Sequence, residues 1–534
     1  MPQTIQAVML DTVSIQQYIY AASNKIKEII GASHLVQYIY CKPLQSVIDE
    51  MFPKAGETFV LDHWKDNPSA LFKQRDRFDV GYIGGGNALL LFKGDDTTNA
   101  AQYAEAFIRQ WTKNLLIDAP GIITAVAYYA TTQNELDTNF QNVKKELDKN
   151  LAENRSQHPP QSTIPRHGIT AECSRSGLSM DKWNDQVDPT EQNFVSSVTY
   201  AKLKGAKQEQ DDLEQKYRKQ LSGTYIFTDQ IDRLGQKHGE DSHVAIVHID
   251  GNDMSGKFNK PASLQEFRIF SRDVEAGTEK AFERLLEHIV DNYGKIMKFL
   301  GSDEDSILPI RYIMLGGDDI TFVCDGKLGI YFSKLFLEFF EEEHCKRGKK
   351  LTACAGIAIV KSKYPFSRGY DMAAELCTSA KKSKKDNDDE SASFLDFQIS
   401  MGGILGDLGT IRSKYFQATQ GKLLFRPYRV TKQDQGHKKG RNFDEILLAL
   451  KPLREEWPNN KIHDLRQVLT LSESASKQFV QEMKFRDREL PKIAGGDYHE
   501  TLFDKGRTPY FDLIELLEFY PDFVAVQEKG GQSV

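Results

Sequence analysis

Leu315-Gly316-Gly317-Asp318-Asp319-Ile320-Thr321-Phe322 sets two adjacent acids at a glycine-rich reversal between two apolar runs. Ile310 to Leu315 and Ile320 to Val323 read as strands, and Gly316 and Gly317 allow a tight turn and the close approach of a phosphate. The stretch is therefore a β-hairpin whose tip faces a ligand. Two exposed carboxylates side by side repel unless a cation lies between them, so Asp318 and Asp319 point to magnesium or manganese. An acidic hairpin turn without metal is the competing reading, because Asp and Gly are common turn residues.

Upstream, the apolar run Val244 to Ile249 ends on Asp250. Such continuity marks a parallel or central strand buried on both faces, and a carboxylate at its carboxyl end sits where ligands of these sheets bind. Asp250 then completes a three-acid cluster. Helical spacing runs from about Leu264 to Leu300; Leu328 to Cys345 reads as helix, Leu351 to Val360 as strand and Ser367 to Lys385 as helix. The order β-α-β-β-α-β-α is the plan of palm-type polymerases and nucleotidyl cyclases, an α+β fold built on a ferredoxin-like sheet.

The same plan occurs twice. Ala7 to Asp11 corresponds to Ala245 to Asp250, Gly84-Gly85-Gly86-Asn87 to the Gly-Gly-Asp-Asp hairpin, and Ile122 to Tyr129 to Leu351 to Val360. Strand-end acid to hairpin spans 73 residues in one copy (11 to 84) and 66 in the other (250 to 316); hairpin to last strand spans 38 (84 to 122) and 35 (316 to 351). In the first copy Gly86 and Asn87 stand in place of the two acids, so that copy binds rather than catalyses. Two facing nucleotide pockets follow, one with metal and one for a second nucleotide. Ser33, Asn24 and Lys25, with Gly84 and Gly85, are candidate phosphate or ribose contacts there; a solvated amphipathic helix is the alternative for the first three.

A chain of 534 residues is too long for one core. The sequence divides into a first palm (1–135), a helical inter-palm region (136–235), a second palm (236–400) and a C-terminal helical domain (401–534). In the inter-palm region Pro159, Pro160 and Pro165 mark a loop, and the alternating charges from Lys202 onward read as a solvent-exposed helix. A net charge of −7 argues against bulk nucleic-acid affinity, which leaves local patches such as Lys381-Lys382-Ser383-Lys384-Lys385. Lys384 and Lys385 also fit a solvated helix end, with cations at the negative pole. No secretory signal or twenty-residue apolar run is present, so the expected location is cytoplasmic with no membrane contact. The six cysteines form no C-x-x-C pair and read as reduced core thiols.

On these residues the chain resembles the large polymerase and cyclase subunit of type III CRISPR effector complexes. The resemblance covers Gly316 to Asp319, a looser match of Asp250-Gly251-Asn252-Asp253-Met254-Ser255-Gly256 to the family's strand end, and the N-terminal stretch from Leu10 to Ser33. Asn252 stands where the family often has a second acid. The resemblance implies a nucleotidyltransferase that converts ATP to a cyclic oligoadenylate-type messenger in antiviral defence, with Asp250, Asp318 and Asp319 holding Mg2+ or Mn2+. It also implies that Lys381 or Lys382 reaches the triphosphate. Expected partners are guide and target RNA within a multisubunit complex, and neighbouring subunits through the C-terminal and inter-palm helices. Glu172-Cys173-Ser174-Arg175-Ser176-Gly177 looks like a remnant of the family's zinc module, so no zinc is expected. The chain starts almost at the first palm strand, so the family's HD nuclease is not expected, and His463-Asp464 reads as surface or capping. A non-catalytic RNA-binding scaffold and a stand-alone defence cyclase are the rival readings. A diguanylate cyclase ranks below them, because the motif ends Asp-Asp-Ile and a second palm shares the chain.

Overall fold

The computed structural model describes residues 4–20, 25–95, 99–157, 169–186, 192–234, 242–302, 306–386, 392–400, 406–431, 441–493 and 495–524. The elements that place the first copy are β1 (Thr4–Val13), α1 (Ile26–Tyr38), the hairpin β2 (Phe78–Gly84) and β3 (Asn87–Lys93), α2 (Ala100–Asp118), β4 (Ile123–Thr132), α3 (Phe140–Gln157) and α4 (Ser197–Lys216). The second copy has β5 (His243–Gly251), α5 (Leu264–Asp291), α6 (Tyr293–Leu300), the hairpin β6 (Ile310–Gly316) and β7 (Asp319–Asp325), α7 (Gly329–Lys346), β8 (Ala353–Lys361), α8 (Phe366–Asp386) and β9 (Phe394–Ile399). The short β10 (Tyr428–Arg429) and helices α9 (Phe443–Glu456), α10 (Asn459–Val468), α11 (Glu473–Phe485) and α12 (Tyr510–Phe519) follow.

The repeat read from the sequence reappears in the topology. One sheet has the order β2-β3-β1-β4 and is antiparallel throughout. The other is β10-β9-β8-β5-β7-β6, whose last four strands, read from the β6 edge, repeat the first sheet position by position. Each copy is thus a ferredoxin-like palm. The β5 strand is central, as its apolar run requires: Val244, Ala245, Ile246, Val247 and Ile249 are all 2% exposed or less. It is antiparallel to both β7 and β8, not parallel, and within the second sheet the parallel pair is β8 with β9.

The chain forms two compact units, one of Met1–Arg218, Asp253–Glu279 and Ile313–Asp318, the other of Lys219–Asn252, Lys280–Tyr312 and Asp319–Val534. In the first, α1 and α4 cross at two glycines. A Cβ on Gly31 would lie 1.6 Å from the carbonyl oxygen of Lys202, and one on Gly205 would lie 3.0 Å from that of Gly31. This contact corrects the solvent-exposed reading of α4. Thr199, Lys202, Leu203, Ala206 and Leu213 are buried, and the Lys202 Nζ donates to the Tyr18 carbonyl at 2.7 Å with the Tyr18 ring 4.3 Å away. Arg268 is also fully buried, donating to the carbonyls of Val80, Gly81, Pro68 and Ala70.

In the second unit α8 lies directly on β8, because Gly356 has no side chain to hold it off. The helix expected from Leu264 to Leu300 is two helices. Asn292 leaves helical dihedrals (φ −108°, ψ 12°) and its side-chain amide takes the carbonyl of His288 at 3.0 Å. The residues after 401 are helical from Phe443 onward, while Tyr428 and Leu395 pair to add β10 to the edge of the second sheet. No described helix is long and apolar enough to cross a membrane. Cys173, Cys324, Cys354 and Cys377 are buried thiols, whereas Cys41 and Cys345 are exposed, which corrects their reading as core thiols. Pro159, Pro160, Pro165, Gly402, Gly403 and residues 433–440 lie outside the described residues.

Candidate active site

The strand register brings the acids together. Ile249 on β5 is opposite Ile320 on β7, which sets Asp250 across from Asp319 at the start of the hairpin's return strand. Gly317 takes φ +62°, the left-handed conformation that glycine adopts without strain, and Asp318 follows it in the turn. One oxygen from each of Asp250, Asp318 and Asp319 lies within 4.8 Å of the others, and among the described residues this is the one such group of acids, histidines or cysteines. Asp318 and Asp319 are half-buried rather than exposed. Hard carboxylate oxygens at this spacing fit a divalent cation. A Cβ on Gly316 or Gly317 would meet nothing within 4 Å, so the space beside the turn is open.

Lys381, on α8, is the cation at this site. Its ammonium bonds a carboxylate oxygen of Asp250 and donates to the Gly251 carbonyl at 3.1 Å. Burial works against the lysine's charge, but Asp250 outweighs it and holds Lys381 above its usual value. Burial likewise pushes the Asp250 carboxyl up, yet the hydrogen bond with Asp319 and the charge of Lys381 leave it below the usual carboxylate range. Lys382 is exposed, so of the two candidates Lys381 reaches the acids. Lys384, one helical turn on, is 2% exposed, which corrects its reading as a solvated helix end; Lys385 is exposed as expected. Two residues before Asp250, His248 meets Thr321 Oγ1 at 3.3 Å and stands edge-on to Tyr370, 5.4 Å between ring centres. Burial lowers its pKa, against the opposing pull of Asp250.

Asn252 is turned into the core. Its side-chain nitrogen donates to Thr352 Oγ1 (2.9 Å) and the Ala392 carbonyl (3.2 Å), and its oxygen accepts from Cys354 Sγ at 3.3 Å. The position that the family resemblance associates with an acid is here a clip between the end of β5 and the strands beside it.

The first copy has the same frame and a different filling. Asp11 is opposite Asn87, as Asp250 is across from Asp319. Gly85 and Gly86 both have positive φ (+61° and +77°), the two-glycine form of the turn. A Cβ on Gly86 would strike Ile15 Cδ1 at 2.5 Å, so the place that Asp318 has in the second copy is closed by an isoleucine. Asp11 is buried and paired with Arg155 of α3; burial raises its carboxyl more than Arg155 lowers it. Gly84 ends β2, Ser33 is buried within α1, Lys25 is exposed at the start of α1, and Asn24 lies outside the described residues. Sequence reasoning passed over Arg155, His248 and Tyr370. For Arg155 the signal was available in the repeat itself, because α3 follows β4 as α8 follows β8.

Residues 243–389 match the family model described as Cas10/Cmr2, second palm domain. No curated protein matches the chain. Among solved structures, a Csm1–Csm4 cassette in complex with cA3 is similar with a TM-score of 0.54 and 13% identity, over 97% of this chain and 70% of that one. The cassette in complex with AMPPNP has a TM-score of 0.54 and 12% identity over the same shares, 97% and 70%. Csm1 of T. onnurineus has a TM-score of 0.53 and 12% identity, over 96% of this chain and 70% of that one. At such identities the likeness is one of fold. Residues 243–389 thus match the Cas10/Cmr2 second palm domain, in a chain with the fold of Csm1.

Proposed function

We propose that the chain is a metal-dependent nucleotidyltransferase that joins a 3′-hydroxyl to the α-phosphate of ATP, releases pyrophosphate and yields a cyclic oligoadenylate-type second messenger. The observation that carries this reading is the convergence of Asp250, Asp318 and Asp319 beside an open glycine turn, with Lys381 at the same place. These three acids would hold Mg2+ or Mn2+, which, when bound, lowers the pKa of the attacking hydroxyl and neutralises the leaving group. Gly316 and Gly317 leave room for phosphate against the backbone, and Lys381 supplies positive charge to the triphosphate. Asp318, in the turn, and Asp319, at the start of β7, orient the reacting end. The first copy, with Asn87 and Gly86 in place of acids, holds a second nucleotide near Lys25, Gly84 and Gly85; Ser33, buried within α1, is not among its contacts.

The solved relatives support the ligand class, since their cassettes were captured with AMPPNP and with cA3. The same reading makes the chain a cytoplasmic subunit of an RNA-guided antiviral complex, with guide and target RNA and neighbouring subunits as partners. Its activity then depends on RNA, through preferential binding of RNA to the productive arrangement. The test is incubation with ATP and Mn2+, products resolved by mass, for the chain alone and for the chain co-purified with its genomic neighbours, with and without cognate RNA. Product from the RNA-bearing complex is expected; none from any preparation contradicts the reading.

A further inference from the structure

Each palm carries a cation on the helix that follows its fourth strand, and in each that cation closes on the acid at the end of the first strand. Arg155 on α3 pairs with Asp11, and Lys381 on α8 pairs with Asp250. The two pairs are equivalent in topology, yet their surroundings differ. Around Asp11 the opposed residue is the neutral Asn87, and the Ile15 side chain lies against Gly86. One buried acid there faces one guanidinium, which keeps its charge at any pH that the protein survives. Around Asp250 a second acid, Asp319, is within hydrogen-bonding reach, Asp318 is close by, and the turn is open. Lys381 sits at the end of a flexible four-carbon stem and can withdraw without moving α8, whereas the planar guanidinium of Arg155 holds its carboxylate in a fixed fork.

We infer that Lys381 is an exchangeable counter-ion that occupies the acids of the second palm until a divalent cation displaces it, whereas Arg155 is a permanent counter-ion of the first palm. An ammonium and a divalent ion on the same carboxylate repel, so metal loading drives Lys381 off Asp250 and leaves its charge available to an incoming triphosphate. The inference rests on the assignment of metal to Asp250, Asp318 and Asp319 made above.

The test is titration of the full chain with Mn2+, bound ion being read by electron paramagnetic resonance in the absence of nucleotide. Four proteins are compared: wild type, Lys381→Met, Lys381→Arg and Asp319→Asn. An opposite charge at salt-bridge distance typically shifts a carboxylate equilibrium by 1–3 pKa units, so Lys381→Met is expected to bind Mn2+ about tenfold more tightly than wild type. Lys381→Arg, which copies the first palm, is expected to bind no more tightly than wild type, and Asp319→Asn to lose the site. Wild-type binding that Asp319→Asn abolishes but Lys381→Met leaves unchanged or weakens overturns the counter-ion inference alone. Wild-type binding that survives Asp319→Asn overturns the metal assignment and the inference with it, as does an absence of Mn2+ binding in all four.

Discussion

Gly356→Ala tests whether the contact between α8 and β8 positions the site. A Cβ at residue 356 would lie 1.9 Å from the carbonyl oxygen of Ala373, 2.3 Å from the amide nitrogen of Cys377 and 2.9 Å from Cβ of Leu376. Two of these are backbone atoms of α8, which cannot turn aside as a flexible side chain would. Ordinary contact needs about 3.4 Å, so helix and strand must part by roughly 1.5 Å. Overpacking of a well-packed core costs about 1–3 kcal/mol, and that loss is expected in urea unfolding. The displaced turn contains Cys377, one turn before Lys381, so the base of the lysine shifts relative to the acids and to the triphosphate it would reach. Misplacement of a positioning group by about 1 Å lowers turnover by about 10²-fold, which the mass assay reads directly. If Gly356→Ala unfolded at the wild-type urea concentration and made product at the wild-type rate, the proposed link from helix packing to lysine position would be wrong.

Asn252→Asp, which places an acid where the family often has one, is expected to destabilise by about 2–3 kcal/mol by removing the donors to Thr352 and Ala392, with no gain in Mn2+ affinity; tighter Mn2+ binding contradicts the inward orientation. Gly31→Ala forces a Cβ to 1.6 Å from the Lys202 carbonyl and is expected to cost at least about 1–3 kcal/mol in urea unfolding, against no change if α1 and α4 do not cross there. Asp325, at the end of β7, is driven by burial from 3.8 to about 7, so between these values the folded state holds a proton that the unfolded state releases, and stability falls as pH rises. Asp325→Asn keeps an acceptor for the Lys327 amide and removes that slope. It should match wild type near pH 4 and exceed it at pH 8 by up to about 4 kcal/mol, whereas a pH-independent difference rejects the titration.

The hairpin and the strand-end acid were legible because their chemistry is local. Gly316 and Gly317 mark a turn, Asp318 and Asp319 stand beside it, and an apolar run broken only by His248 announces a buried strand before Asp250. The repeat was legible for the same reason, since three strands and a turn recur at similar spacings. The residues that pack one element on another were not. Lys202 and Lys384 look solvated in a charged stretch, and only the neighbouring helix or sheet shows them buried. Asn252 reads as a lost acid until Thr352 and Ala392, 100 and 140 residues later, are seen to accept from it. Gly31 and Gly356 give no motif, yet they set how closely two pairs of elements approach. Arg155 lies in an ordinary charged helix, and its meaning comes from its equivalence with Lys381 across the repeat.

The central claim is that Asp318 and Asp319 hold the metal that makes the second palm a nucleotidyltransferase. Its most direct test compares wild type with the Asp318→Ala, Asp319→Ala double variant, each in the complex co-purified with genomic neighbours and cognate RNA, supplied with ATP and Mn2+ and read by product mass. Removing two mutually repelling acids from an open turn should leave the urea unfolding midpoint at or above that of wild type. The account predicts oligoadenylate and pyrophosphate from wild type and none from the folded double variant. Undiminished product from the double variant would contradict it.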